Sequence, residues 1–430
     1  MLAKSISKRA SRECRFSGRI GGLLLAITCS FSVRAQDALQ DLMALDTARD
    51  VRREQVASPN YTFKSGDLRM LVTPSVGLDW NDNINSSDTD KESDFILKPF
   101  VQFDLTYPLT QVNLLAVNLG IGYDYYFDHH DESSLRLQTG SGLSFDIFVK
   151  DFVINLHDRM SYTRDSSQEP AVANTSDFAN FENTIGILTS WNLAKGTVSL
   201  GYDHQNTVSP ESQFNSQNSA AEMLLARATY LVHPQVQAGL EGTVSFTDYT
   251  QPTLNDNTAY SIGPFVSWQP GSALQVVFRG GYVFYDFKQT SALIKAQDLS
   301  TYYVDLTVTH NATELFSYSF SAGREVNLGV QSDTTEQWYL RPSVTWHLFK
   351  NISLNTGVSY ENGNQGDQGL GGGSIEEHFN WLGATVGVNW PFMKRLSLGA
   401  NYRFTFRESN LPDRGYNQNM IGLTLSYIPQ

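Results

Sequence analysis

Residues 115–127 read LAVNLGIGYDYYF, and their spacing decides the fold. Leu115, Val117, Leu119, Ile121, Tyr123, Tyr125 and Phe127 occupy every second position, opposite Asn118, Gly120, Gly122 and Asp124. A repeat of two places one set on each face of an extended strand, apolar on one side and polar or glycine on the other. The same alternation runs through Leu68–Trp80, Phe95–Tyr107 and Leu135–Val149. It continues in segments such as Ile154–Tyr162, Phe316–Arg324, Leu354–Tyr360, Leu382–Trp390 and Ile421–Tyr427. The expected fold is all-β, a closed antiparallel transmembrane β-barrel of about eighteen strands (16–18), because bacterial barrels favour an even count.

The connections separate a membrane barrel from a soluble sandwich. PLT, VKD, LAKG, HP, QPGS, NAT, FKN and PFMKR are tight, and they alternate with long polar runs such as DSSQEPAVANTSD and ENGNQGDQGLGGGSIEEH. Short turns at one end and long loops at the other are the barrel pattern, and a Greek-key sandwich has no reason to sort its loops this way. Trp80, Tyr107, Tyr162, Trp191, Trp268, Trp338, Trp390 and Tyr427 fall near strand ends on the apolar register, where they would form two interfacial girdles. Closure follows physically, since an open edge in hydrocarbon would leave backbone groups unpaired at several kcal/mol each.

Charges of both signs stand on the polar face: Arg136, Arg159, Arg227, Arg279, Arg341, Arg403 and Arg407, with Asp104, Asp124, Asp146, Asp203, Glu241 and Asp305. They fit a wet lumen whose field selects solutes, and they fit equally a set of ion pairs that satisfy one another.

Residues 1–35 are expected to be a cleaved signal peptide. Lys4, Lys8, Arg9, Arg12, Arg15 and Arg19 precede an apolar Ile20–Val33, and Val33-Arg34-Ala35 presents small residues at the cleavage positions. A lipoprotein anchor at Cys29 is disfavoured by the Ala-Ile-Thr before it. Both cysteines, Cys14 and Cys29, belong to this leader, so disulfides are not expected. Cleavage would leave 24 basic against 43 acidic residues, a net charge of −19, which argues against nucleic acid as a partner. Residues 36–66 read as an N-terminal periplasmic segment with a short helix over Asp37–Gln55. That helix could plug the lumen, dock a periplasmic partner or fray. Residues 67–430 form the barrel.

Sites for chemistry are sparse. His157 and Ser161 share a strand face but stand about 13 Å apart, beyond hydrogen-bond reach. His129 and His130, in DHHDES, suit a solvated turn better than a metal. The run WNDNINSSDTDKESDF (80–95) fails the EF-hand pattern, since Ile84 takes the glycine position and Asp90 the glutamate position. The expectation is therefore a protein that is not an enzyme, with no catalytic residue, cofactor or metal.

WNDNIN after the first strand, DFILKP opening the second and GYDYYFDHH closing the third resemble the putative beta-barrel porin family, labelled outer-membrane beta-barrel protein. The family pattern maps onto Trp80, Asn81, Asp82, Asn83, Ile84, Asp94, Phe95 and Pro99. The resemblance implies an integral protein of the outer membrane, in contact with lipid and lipopolysaccharide and inserted by the barrel-assembly machinery. The chain departs from the usual terminal aromatic, ending SYIPQ, which leaves Tyr427 as the anchor that machinery would read.

The leading expectation is passive or weakly selective diffusion of small hydrophilic solutes. Some family members are similar to proteins encoded with exopolysaccharide machinery, which implies polysaccharide export as an alternative, with Tyr285, Tyr303, Tyr339 and Trp381 as candidate sugar-stacking rings. A structural or adhesive surface barrel is the third reading. Nothing in the sequence fixes the oligomeric state.

Overall fold

The computed structural model describes residues 61–165, 168–176, 178–330, 332–349, 351–366 and 376–429. The expected leader and the helix over Asp37–Gln55 lie outside them. β1 (Phe63–Ser65) folds back as a short arm on β2 (Leu68–Asn81). From β2 to β19 (Tyr416–Tyr427) each strand pairs antiparallel with the one before it, and β19 pairs back onto β2. Eighteen strands thus close a cylinder, with β1 as an addition the alternation did not mark.

LAVNLGIGYDYYF lies in β4 (Leu114–Tyr126), as its pattern requires. The differences are at the long-loop end. β9 (Ser219–His233) and β11 (Asn257–Trp268) begin several residues before their outward apolar alternation, which starts at Leu224 and Tyr260. Their added outward positions are Ala220, Glu222 and Thr258. The apolar signal stops where lipid stops, while the hydrogen-bonded ladder continues into water. Connections run to 2–5 residues at one end and 5–16 at the other. Lys150, in a two-residue turn, takes the left-handed φ of +53° that such turns favour.

Outward residues are exposed and apolar: Leu200, Leu240, Ile262 and Tyr282 are 59–62% exposed. In water such a surface would aggregate, and in a bilayer it is the favoured face.

On the inside, one device recurs along β10 (Val236–Tyr249), β11, β12 (Leu274–Phe287), β13 (Leu299–His310), β14 (Phe316–Leu328), β15 (Thr334–Phe349), β16 (Ile352–Gln365) and β17 (Glu377–Met393). Gly239 faces Phe265, Gly281 faces Tyr303, Gly323 faces Tyr339, and Gly363 faces Phe379 across neighbouring strands. Each ring covers its glycine so closely that an added Cβ would meet a ring-group atom at 2.3–2.8 Å. Three of these rings carry a guanidinium on top: Arg227 over Phe265 at 3.9 Å, Arg341 over Tyr339 at 4.2 Å and Arg407 over Phe379 at 4.9 Å. Lumen arginines are thereby seated on fixed aromatic platforms rather than left to swing.

Candidate functional site

The third outer connection, residues 164–179, leaves β6 (Phe152–Thr163) and returns to β7 (Asn180–Leu193). Its carbonyls are held far away in the barrel. Arg407 Nε on β18 (Leu396–Ser409) donates to Pro170 O at 2.8 Å. Ala171 O accepts from Arg414 Nη2 at 2.8 Å and from Gln365 Nε2 on β16 at 3.0 Å. Asp165 pairs with Arg403 Nη1 at 2.8 Å. In a barrel whose strands follow chain order, β6 and β16 are about half a circumference apart, so the loop crosses the lumen. Ala171, Val172 and Phe178 pack there with Phe214 and Val330 of two other outer loops. Arg164 ties the near end to Glu132 and Glu211 at 3.6 and 3.3 Å.

Beneath the loop lies a charged belt. Arg227 and Arg279 flank Glu241 at 3.9 and 3.8 Å, and Arg279 also reaches Asp305 at 3.6 Å, which accepts the Tyr339 hydroxyl at 2.6 Å. Arg341 sits between Glu325 and Glu361 at 2.9 and 3.0 Å. Arg407 and Arg414 share Glu377 at 2.7 and 2.9 Å. On the opposite wall Arg136 lies 3.6 Å from Asp124, Asp203 takes both His157 at 3.1 Å and Arg159 at 3.8 Å, Asp146 accepts from Asn155 at 2.7 Å, and Asp104 accepts from Gln102 at 3.1 Å. All twelve charges in the expected lumen set, and Arg407, take the inward register and have a polar or charged partner. Toward the short-turn end Gln237, Gln275, Thr309, Ser343 and Asn401 stand exposed on the inward register.

Glu325, Glu361 and Glu377 escaped the sequence reading because they lie outside the strand ends set by apolar alternation, the first two one residue beyond Arg324 and Tyr360 and the third five residues before Leu382. Their inward parity was visible; the strands' extra length was not. Arg414 and Gln365 act through loop geometry that spacing does not encode. The four rings considered for sugar stacking, Tyr285, Tyr303, Tyr339 and Trp381, do point inward, but they are 3–6% exposed and packed into the wall. No face is open to a passing sugar. Among the described residues no cluster of three metal-ligating side chains occurs, and His129 is engaged by Asp94 at 3.0 Å.

Glu169, in the crossing loop, receives the Ala171 N–H at 3.4 Å. Enclosure in the lumen has the largest effect and pushes its carboxyl up to about 8; Ala171 works against the rise, the Glu361 and Glu325 carboxylates add to it, and Arg341 opposes it. A carboxyl that holds its proton longer in the docked loop favours docking most below the ordinary carboxylate range, and that contribution is lost as pH rises through about 8. In single-channel records, loop flicker should therefore increase between pH 6 and pH 9. Glu169→Gln should abolish the difference, and a wild-type trace unchanged by pH would contradict the assignment.

The sequence model of a family described as "Putative beta-barrel porin 2" matches residues 69–427. No curated protein matches the chain. Among solved structures it is similar to Pseudomonas aeruginosa OccK2 (OpdF) in complex with glucuronate, at 9% identity and a TM-score of 0.48, over 84% of this chain and 98% of that one. Acinetobacter baumannii OccAB3 gives 9% and 0.46 over 83% and 98%, and Pseudomonas aeruginosa OprD gives 10% and 0.46 over 83% and 94%. Each score is below 0.5.

Proposed function

The chain belongs to the putative beta-barrel porin family, and from that premise we propose that it is an outer-membrane channel for small hydrophilic solutes, narrowed by its third outer loop. The crossing of that loop, from β6 to the carbonyl anchors at Arg407, Arg414 and Gln365, carries this reading. A purely structural barrel has no use for a loop held at the centre of its own lumen. A channel uses such a loop to set the width of its path, and the belt of paired charges beneath it to set the field. Because the arginines are matched by carboxylates on nearby strands, the belt carries little net charge, which suits weak selectivity between ions. The outward apolar face and its girdles meet lipid and lipopolysaccharide, and insertion falls to the barrel-assembly machinery. Its work is passage, not catalysis.

Planar-bilayer recording of the purified protein tests this. Discrete conductance steps are expected, with a reversal potential in a salt gradient that Arg341→Gln moves toward cation preference. A bilayer that stays silent at high protein load would overturn the channel reading.

A further inference from the structure

The Trp80–Ile84 motif lies at the seam where the barrel closes. β2 pairs with β3 (Asp94–Pro108) along Arg69–Asn81, but β19 covers its other edge only from Ser75 to Asn81. Below that stretch the edge is taken by β1, helped by Thr62, whose N–H donates to Met70 O at 2.8 Å and whose hydroxyl accepts the Val72 N–H at 2.9 Å. Above it, where β19 continues to Tyr416 without a strand partner on this side, the motif takes over.

The Asp82 N–H donates to Asn419 O at 3.1 Å, and the Asp82 carboxylate accepts the Asn419 N–H at 2.6 Å and its side-chain amide at 2.7 Å. The Asn83 side-chain amide donates at 2.8 Å both to Asn417 O and to Ser87 O, and its Oδ1 accepts the Ser87 N–H at 3.0 Å. The Gln418 amide donates to Asn83 O at 2.6 Å. Asn83 is fully buried. Asparagine alone among small residues offers two donors and an acceptor on one planar group, and here all three are used. Neither aspartate nor leucine could do both jobs.

We propose that Asp82 and Asn83 form a side-chain latch that completes the closure of the barrel, extending the seam between β2 and β19 beyond Asn81, where their ladder ends. Such a seam is the last edge a barrel must satisfy, because its two strands are the most distant in sequence and bear the largest loop-closure cost. The second half of the motif works alongside: Asp94 accepts the N–H groups of Phe127, Asp128 and His129 at 2.8–3.1 Å and fixes the neighbouring loop.

The test uses the full-length protein and the temperature at which its folded band converts to the unfolded mobility in detergent gels. Asn83→Ala should lower that temperature by about 5 °C or more, from the size of the lost hydrogen bonds. Asn85→Ala, which removes bonds only within the loop, should leave it unchanged. Asp82→Ala, the milder seam variant, should shift it in the same direction by less. A disulfide from Ser75→Cys with Ser426→Cys, register partners across the seam, should restore Asn83→Ala. If Asn83→Ala and Asp82→Ala both melt as wild type, or if the cross-link leaves Asn83→Ala as labile as before, the latch is refuted.

Discussion

Arg407→Ala should release the third loop and produce a larger, noisier conductance, while lowering barrel stability by about 3 kcal/mol, the low end of the range for breaking a buried ion pair. Arg407 is 1% exposed, and its guanidinium nitrogens are committed in three directions: to Pro170 O, to Arg414 O at 2.6 Å and to Glu377 at 2.7 Å. Its removal strands two loop carbonyls, Pro170 O and Arg414 O, and weakens the grip on a fully buried carboxylate. The loss stays near 3 kcal/mol rather than about 5 because Glu377 keeps Arg414 at 2.9 Å and the Ser409 hydroxyl at 2.6 Å.

Arg407→Lys separates charge from shape. A lysine can neutralise Glu377, but its ammonium cannot also span to Pro170 O and rest flat on Phe379. Stability should recover more than conductance does. If both recover together, the loop is held by charge alone. If Arg407→Ala leaves the current trace unaltered, residues 164–179 do not set the path, and the channel would need another constriction.

The sequence disclosed the wall of this barrel far better than its contents. Strict alternation is a consequence of having lipid on one side and water on the other, so every strand between Leu68 and Tyr427 announced itself and its inward residues. The loops obey no such period. Whether DSSQEPAVANTSD stands up in solvent or dives across the lumen depends on Arg407, Gln365 and Arg414, which are distant in sequence and supply donors to carbonyls rather than a complementary pattern. The charges were identifiable as inward, yet their pairings follow from register, and a one-residue slip would reassign every partner. The Asn-Asp-Asn segment shows the same limit from the other side. Its pattern marks the family, but the bonds that matter reach Asn417 and Asn419, at the far end of the chain.

Gly363→Val is expected to cost about 2–3 kcal/mol, at the upper part of the range for forcing extra atoms into a packed site, and to loosen the constriction as well. An added Cβ at this position would meet Phe379 Cζ at 2.3 Å, with two further ring atoms within 2.9 Å. The ring cannot simply lift, because Arg407 covers its other face at 4.9 Å and is itself tied to Pro170 and Glu377. Moving Phe379 therefore moves the anchor of the third loop, and a change in the wall should be read out as current noise.

Gly387→Ala is the matched control. It lies on the inward register of the adjacent strand, β17, but its nearest neighbours are backbone oxygens at 3.9 and 4.0 Å. With room for the methyl and less backbone entropy to lose on folding than glycine has, alanine there should be neutral or stabilising by about 0.5 kcal/mol. Opposite signs at two inward glycines would show that the close approach of a ring, rather than glycine itself, is what the wall requires. If Gly363→Val melted and conducted like Gly387→Ala, the ring-on-glycine contact would not couple the wall to the loop, and the arginine platforms would be packing without consequence for the pore.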